Sequence, residues 1–224
     1  MKDNILVLGG TGKTGKRVVE QLKELGHNVK IGSRSSTPSF DWEKPEDWKE
    51  ALKDIDKVYI TYYPDLAVPG ALEAIEELTK QSKKANIKKL VLLSGKGERE
   101  AELCEQVIIH SDIDYTIVRA SWFNQNFSEN FLLEPILNGF VALPQSDVKI
   151  PFVDANDIAS VVVEALLHEK HNGKIYQLTG NRHITFKQAI DEISKETNQN
   201  IVFTPISTQA YRDAIKAYLL ILFG

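Results

Sequence analysis

Three glycines close to the N-terminus have the spacing of a phosphate-binding turn. Gly9, Gly12 and Gly15 follow the apolar run 5–8, and apolar residues at helical spacing follow the glycines. Glycines let backbone N–H groups approach a pyrophosphate, and the start of a helix attracts the anion. A strand, a glycine turn and a helix in this order predict a dinucleotide site. The residues expected to contact the dinucleotide in this turn are Gly9, Thr11, Gly12, Lys13, Thr14 and Gly15.

The same stretch has two other interpretations. Gly12, Lys13 and Thr14 also spell the end of a loop that binds nucleoside triphosphates. That loop needs a glycine five residues before Gly12, where Val7 stands. The glycines could also serve a turn that merely needs positive φ. The flanking strand and helix favour the dinucleotide site over both alternatives.

The end of the second predicted strand, 28–32, indicates which dinucleotide is bound. Sites for NAD usually carry a carboxylate about 20 residues past the glycines, where it accepts a hydrogen bond from the ribose 2′-hydroxyl. Here Ser33 and Arg34 follow the strand, and no carboxylate is present. A guanidinium can pair with a 2′-phosphate. The sequence therefore predicts NADP(H) in preference to NAD(H), and the alternative is an exposed arginine in a polar turn.

Other polar residues follow later strands at the same predicted edge of a sheet. Asp41, in a predicted short strand at 39–42, could accept a hydrogen bond from the adenine amino group. Thr61 and Tyr62 end a strand at 57–62 and are expected to border the cofactor. Ser94 ends a strand at 89–95 and is also expected at the cofactor. No catalytic residue is assigned, and Ser94 and Tyr62 are the candidates.

The elements that position these residues alternate between strand and helix. This alternation predicts an α/β fold, a Rossmann doubly wound parallel sheet with a small C-terminal substrate lobe. Residues 1–224 are interpreted as one domain, with lobe segments at approximately 122–150 and 179–224. The remaining predicted elements are a strand at 114–119, a helix capped by Asp154, a strand at 174–178, a helix at 185–196 and a strand at 201–205.

An aromatic and amide-rich loop leaves the strand at 114–119. Strand ends of this kind supply substrate contacts in doubly wound folds, so Trp122, Phe123 and Asn124 are the substrate candidates. Packing of the same aromatic rings within the lobe is the alternative.

Composition narrows the class of partner. The chain has 224 residues, 42% of them hydrophobic, and a formal net charge of −4, so no basic surface for nucleic acid is indicated. No signal peptide or membrane span is recognised, and a cytoplasmic location is expected. Cys104 lies in an apolar helical pattern and is expected to be a buried apolar residue, not a nucleophile. His168 and His171 lie at a predicted helix end, where a cation or a cap is the expected role, so no metal site is expected. The expected partner is a small-molecule substrate, and the oligomeric state is left open.

These motifs resemble those of the NmrA-like family of atypical short-chain dehydrogenases/reductases. The resemblance rests on the turn 9–15, Thr116-Ile117-Val118-Arg119 and Pro151-Phe152-Val153-Asp154. Segments 40–42, 93–95 and 121–127 resemble the branch with ergot-alkaloid festuclavine dehydrogenase-like reductases and bacterial NAD(P)-binding proteins. The resemblance implies a Rossmann fold and NAD(P) binding. The family contains NADPH-dependent quinone and imine reductases, and also transcriptional co-regulators that bind the dinucleotide without turning it over.

One departure from the family pattern bears on the chemistry. Classical members carry a Tyr-x-x-x-Lys pair that donates a proton to the substrate oxygen, but residues 95–110 contain no tyrosine and only Lys96. Ser94 matches the position of the family's catalytic serine without these partners. We therefore expect an NADP(H)-dependent oxidoreductase that reduces a small electron-poor acceptor, a quinone or an imine, by hydride transfer. The alternative is a non-catalytic NAD(P)-binding redox sensor or regulator.

Members of the family also continue past the apolar stretch 217–224, with helices that close the substrate pocket.

Overall fold

The computed structural model describes residues 2–144 and 147–223, with side chains described up to residue 216. The apolar stretch 217–224 that the sequence singled out therefore lies outside the described side chains. The chain divides into two compact units. The first comprises residues 1–121 and 153–178, and the second comprises residues 122–152 and 179–224.

Eight strands and eight α-helices are found in the described residues. The strands are β1 (Asn4–Leu8), β2 (Asn28–Gly32), β3 (Lys57–Ile60), β4 (Lys89–Gly95), β5 (Asp114–Ala120), β6 (Phe140–Leu143), β7 (Lys174–Leu178) and β8 (Val202–Pro205). The helices are α1 (Lys13–Glu24), α2 (Trp48–Leu52), α3 (Ala71–Lys84), α4 (Arg99–Ile109), α5 (Leu133–Leu137), α6 (Ala155–Leu167), α7 (Phe186–Thr197) and α8 (Thr208–Phe223).

The first unit contains a six-stranded parallel sheet in the order β2-β1-β3-β4-β5-β7. The strands of its centre are apolar on both faces because helices cover both of them. One face packs against α2, α3 and α4, and α1 and α6 pack together on the other. After β2 the chain crosses β1 to form β3, so the strand order reverses between β1 and β3. The carboxyl ends of these two strands flank the switch point at which doubly wound folds bind ligands. The predicted Rossmann fold class is confirmed.

The prediction of a strand at 39–42 is wrong. This segment is irregular, because its aromatic side chains pack into the core and its backbone makes no ladder. The ring of Phe40 stacks on that of Trp48 at 5.1 Å, and the indole N–H of Trp48 donates to the Asp41 carbonyl at 2.6 Å. The strand predicted at 57–62 ends earlier, at Ile60. By contrast, the helix that Asp154 caps and the strands predicted at 28–32, 89–95 and 174–178 are confirmed.

The second unit contains β6 and β8 as a two-stranded parallel sheet, together with α5, α7 and α8. The start of α7 is fixed by a capping box in which Thr185 and Gln188 exchange side-chain to backbone hydrogen bonds. Buried aromatic and aliphatic side chains, among them Phe127, Phe152 and Phe186, form its core. Neither α5 nor β6 was expected from the sequence.

Lys89, the first residue of β4, holds its ammonium in a buried position. Its Nζ donates to the His168 carbonyl at 3.2 Å. Burial, helped by the charge of Lys57, lowers the pKa of Lys89 from 10.5 to about 8.

Replacing Lys89 with methionine is expected to change how stability depends on pH. Between about pH 8 and pH 10.5 the unfolded chain binds a proton at Lys89 that the folded chain lacks, so the free energy of unfolding rises with pH in that window. Lys89→Met removes this rise and is expected to be more stable than the parent at neutral pH. Urea unfolding across the window measures both effects, with the exposed Lys23→Met as control. An unchanged pH dependence in Lys89→Met would contradict the expectation.

Candidate cofactor site

The turn between β1 and α1 has the backbone geometry of a phosphate-binding loop. Gly9 has φ +66°, and its N–H donates to the Gly32 carbonyl at 2.9 Å. The N–H of Gly12 donates to the Gly9 carbonyl at 2.8 Å, which closes the turn. A Cβ on Gly9 would overlap the Thr61 hydroxyl, so the position excludes other residues both by space and by conformation.

Gly12 and Gly15 differ in what surrounds them. A Cβ on Gly15 would overlap the carbonyl of Gly9, because the first turn of α1 packs directly against the loop. A Cβ on Gly12 would meet only the Gly9 carbonyl, at 3.2 Å. Gly12 is also the N-cap of α1; no side chain caps this helix start and its first turn has no acidic residue. A helix start of this kind, at the end of a central strand, suits an anionic group.

Thr14 lies in the turn but is buried. Its hydroxyl accepts a hydrogen bond from the Tyr59 hydroxyl at 2.9 Å, and burial raises the pKa of Tyr59. This bond joins α1 to β3, and the assignment of Thr14 to the cofactor stays a prediction. Tyr59 was not expected at this site, and its signal in the sequence is a hydroxyl between the apolar residues of β3.

The loop after β2 is shaped by its own hydroxyls. Ser36 donates to the Ser33 carbonyl at 2.8 Å and accepts from the Ser33 N–H at 3.0 Å, while Ser39 donates to the Arg34 carbonyl at 3.2 Å. Arg34 is exposed, and no ion pair to its guanidinium is found in the described part of the chain. An exposed guanidinium of this kind is a group that can pair with a phosphate. The assignment of Ser33 and Arg34 to the cofactor stays a prediction.

The remaining cofactor candidates lie after β2 and β3. The Thr61 hydroxyl donates to the Leu8 carbonyl at 3.0 Å, which ties the ends of β3 and β1 together. Tyr62 is partly buried against Trp42, with ring centroids 4.8 Å apart, and burial raises its pKa. Asp41 accepts from the backbone of Glu43 at 3.2 Å and is partly exposed. Their contacts to a cofactor stay predictions.

The end of β4 carries a buried polar network that the sequence analysis did not anticipate. Ser94 Oγ donates to Glu105 Oε1 at 2.5 Å, and Glu105 is fully buried. The Arg119 guanidinium donates from Nε to both Glu105 oxygens, at 2.9 Å and 3.0 Å, and from Nη2 to Oε2 at 2.5 Å. These hydrogen bonds raise the pKa of Arg119. Ser94 and Arg119 are register partners on β4 and β5, which explains why one carboxylate reaches both.

The sequence did hold a signal for this network. Glu105 occupies the apolar stripe of α4, between Cys104 and Ile108, where a carboxylate without a partner would be unstable. Such a residue predicts a buried cation nearby, and Arg119 at the end of the next strand is that cation.

A second carboxyl group lies beside the same strand end. Glu98 packs against Gly95, where a Cβ would overlap its carboxyl oxygen, so the glycine makes room for the acid. Burial, followed by the charge of Asp65, raises the pKa of Glu98.

The substrate candidates belong to the second unit. Trp122 is partly exposed and packs edge-to-face on Phe186, with ring centroids 5.1 Å apart. Asn124 lines a largely apolar cavity of about 460 Å³ together with Phe127 and Phe152. Phe123 does not line this cavity, and the assignment of all three residues to a substrate stays a prediction.

Neither a metal site nor a membrane-spanning helix is found in the described ranges 2–144 and 147–223. No group of three or more histidine, cysteine, aspartate or glutamate side chains there could hold a metal ion. No helix in those ranges is long and apolar enough to cross a bilayer.

These features together define a doubly wound α/β protein with a glycine turn at the switch point of its sheet. The model of a family described as NAD(P)H-binding matches residues 9–169, and the chain belongs to this family.

The chain is similar to several named proteins along most of its length. The prestalk A differentiation protein A of Dictyostelium discoideum is 28% identical, over 96% of this chain and 76% of that protein. Festuclavine synthase II of Penicillium roqueforti is also 28% identical, over 88% of this chain and 75% of that protein. An NADPH-dependent quinone oxidoreductase of Escherichia coli, solved with NADPH, has 20% identity and a TM-score of 0.78, over 96% of this chain and 82% of that one. The resemblance to the branch with ergot-alkaloid reductases is confirmed.

Proposed function

We propose that this protein is an NADPH-dependent reductase of a small, planar, electron-poor acceptor, a quinone or an iminium ion. The observation that carries the proposal is the turn 9–15, whose glycines leave the start of α1 open to a dinucleotide at the switch point of the sheet. Membership of the NAD(P)H-binding family supports the cofactor class. The names of the relatives, a quinone oxidoreductase and an alkaloid synthase, support reduction of a small molecule.

The residues at the strand ends favour acceptors that need little help from acid catalysis. The dinucleotide supplies a hydride when it is bound. The segment 95–110 lacks the Tyr-x-x-x-Lys pair of classical members, and the Ser94 hydroxyl donates a hydrogen bond to Glu105. The turn 9–15 and Arg34 would bind and orient the dinucleotide, so that positioning is the main contribution of the protein. An electron-poor carbon accepts a hydride under these conditions more readily than the carbonyl of an ordinary ketone.

Replacing Arg34 with alanine is expected to remove most of the preference for NADPH over NADH. A charge-assisted hydrogen bond to the 2′-phosphate contributes about 1.5–3 kcal/mol, and NADH lacks that phosphate. Calorimetric titration of both dinucleotides measures the change, with Lys23→Ala as a control that removes an exposed positive charge elsewhere on the surface. Equal affinities for NADH and NADPH in the parent protein would contradict the preference.

The enzyme activity itself is tested by spectrophotometry. The purified protein is mixed with NADPH and a panel of quinones and cyclic imines, and the nicotinamide absorbance is followed. We expect a loss of NADPH that depends on the acceptor and disappears in Gly12→Val.

The second candidate function is a dinucleotide-binding sensor whose output is a contact with a partner. The observation that favours it is the bond from Ser94 to Glu105, which leaves the family's catalytic serine without a free proton. Tight NADPH binding without turnover across the whole panel would support the sensor and contradict the reductase.

A further inference from the structure

We propose that Ser94 acts as a fixed hydrogen-bond acceptor toward the bound ligand, and that Glu105 and Arg119 impose this role. The proposal rests on the proposed function and deepens it. It implies that the end of β4 selects a ligand that presents an N–H or O–H donor and disfavours one that needs a proton from serine.

The direction of the bond between Ser94 and Glu105 follows from the bonds that Arg119 makes. Arg119 donates to both carboxyl oxygens of Glu105, and a guanidinium has only donors. Both oxygens of Glu105 therefore act as acceptors, and Ser94 Oγ is the donor in the 2.5 Å contact with Oε1. A hydroxyl has one proton, so Ser94 Oγ keeps only its lone pairs for any other partner.

Burial keeps this arrangement in place. Ser94 is 4% exposed and Glu105 is fully buried, so water does not compete freely for the bond. If the Ser94 hydroxyl donated to another acceptor, the buried carboxylate of Glu105 would lose one of its hydrogen-bond donors, which is unfavourable. The hydroxyl is therefore fixed in direction before any ligand binds.

The position of Ser94 explains why a ligand would meet it. It lies near the carboxyl end of β4, one strand away from the switch point flanked by β1 and β3. Directly after β3, the Thr61 hydroxyl donates to the Leu8 carbonyl and is likewise held by the protein. Donors on the ligand, such as the ribose hydroxyls and carboxamide of a dinucleotide or a protonated imine, are what Ser94 Oγ can bind.

A Ser94 hydroxyl that cannot donate a proton affects which substrates the protein can reduce. When a hydride from NADPH adds to the carbon of a protonated imine, the C=N π electrons become the nitrogen lone pair, NADP⁺ and an amine form, and no proton has to be supplied. A carbonyl acceptor becomes an alkoxide or phenolate, which needs a proton that Ser94 cannot give. We therefore infer that the imine with an N–H group is the preferred class.

The first test is independent of any turnover. NMR of the unliganded protein should show a slowly exchanging hydroxyl proton for Ser94 that is absent in Ser94→Ala. A Ser94 hydroxyl that exchanges as fast as that of the exposed Ser35 would overturn the proposal, whatever the result for the proposed function.

The second test uses a matched pair of acceptors, protonated 3,4-dihydroisoquinoline and its N-methyl iminium ion, with the parent and Ser94→Ala. This variant keeps the Glu105–Arg119 pair, so it is the one expected to fold. If Ser94 accepts from the substrate, kcat/KM falls about tenfold for the N–H imine and stays unchanged for the N-methyl ion, the effect of one hydrogen bond. If it accepts from the cofactor, the Kd for NADPH rises about tenfold and both acceptors are affected equally.

Two further results would overturn the proposal. One is a Ser94→Ala variant with unchanged NADPH affinity and unchanged rates for both iminium ions. The other is a variant that loses activity toward quinones alone, because that pattern means Ser94 donates to an oxygen. If the parent binds NADPH and reduces nothing, the proposed function fails, and the hydroxyl proton and the NADPH affinities still decide the role of Ser94.

Discussion

Alanine in place of Gly15 is expected to abolish detectable NADPH binding and to lower the free energy of unfolding by about 1–3 kcal/mol. The added methyl group would overlap the Gly9 carbonyl, and backbone atoms of the turn leave it no space. Either α1 moves away from the turn or the turn itself changes shape, and both displace the helix start from the position at which it would hold a phosphate. Calorimetry measures the binding, and urea unfolding measures the stability.

Gly12→Ala is the matched control for this prediction. Gly12 has φ −81°, which alanine adopts without strain, and its added methyl group would meet only the Gly9 carbonyl at 3.2 Å. This variant is expected to lose less stability than Gly15→Ala while binding NADPH at least about tenfold more weakly, because the methyl group would lie where the pyrophosphate would approach. A Gly15→Ala variant that binds NADPH with the parent affinity would contradict the proposed geometry of the site.

Removing one partner of the buried pair Glu105–Arg119 is expected to destabilise the protein by about 3–5 kcal/mol. Arg119→Leu should have the larger effect, because it leaves a fully buried carboxylate with Ser94 as its remaining donor. Glu105→Leu should have the smaller effect, since Arg119 is 19% exposed and lies 3.7 Å from Glu102, which can still pair with it.

The double variant Glu105→Leu/Arg119→Leu decides whether the pair acts as a unit. It removes both charges and should regain most of the stability lost in Arg119→Leu, because no unpaired charge stays buried. Urea unfolding of the parent, the two single variants and the double variant gives the coupling energy. Simple addition of the two single effects would show that Glu105 and Arg119 do not depend on each other.

The sequence predicted the first unit well because its signals are local. The central strands β1 and β4 are continuous apolar runs, and glycines mark the turn after the first of them. The edge strands β2 and β7 are less buried and mix apolar with polar residues, but their short apolar pattern was still enough to place them. The prediction failed at 39–42, where Phe40 looks like a strand residue but packs on Trp48. Aromatic side chains are common both in strands and in irregular segments that pack on the core, and only the fold shows which of the two applies.

The polar network at the end of β4 shows a different limit. Ser94 was recognised by its position, but its partner Glu105 is 11 residues further along the chain and Arg119 lies on the next strand. Sequence order does not reveal which side chains meet across two strands and a helix. The one available signal was the carboxylate in the apolar face of α4, and it indicates that a partner exists without saying which residue it is.

The order of the strands also has a consequence for synthesis of the chain. Five of the six strands of the main sheet are complete by Ala120, but β7, which pairs with β5, follows only at Lys174. A growing chain therefore presents the unpaired edge of β5, with Ile117 and Val118 in it, until more than 50 further residues have been made. An exposed apolar edge is a template for association with other chains. Between the synthesis of β5 and that of β7, this strand edge is thus open to pairing with other nascent copies.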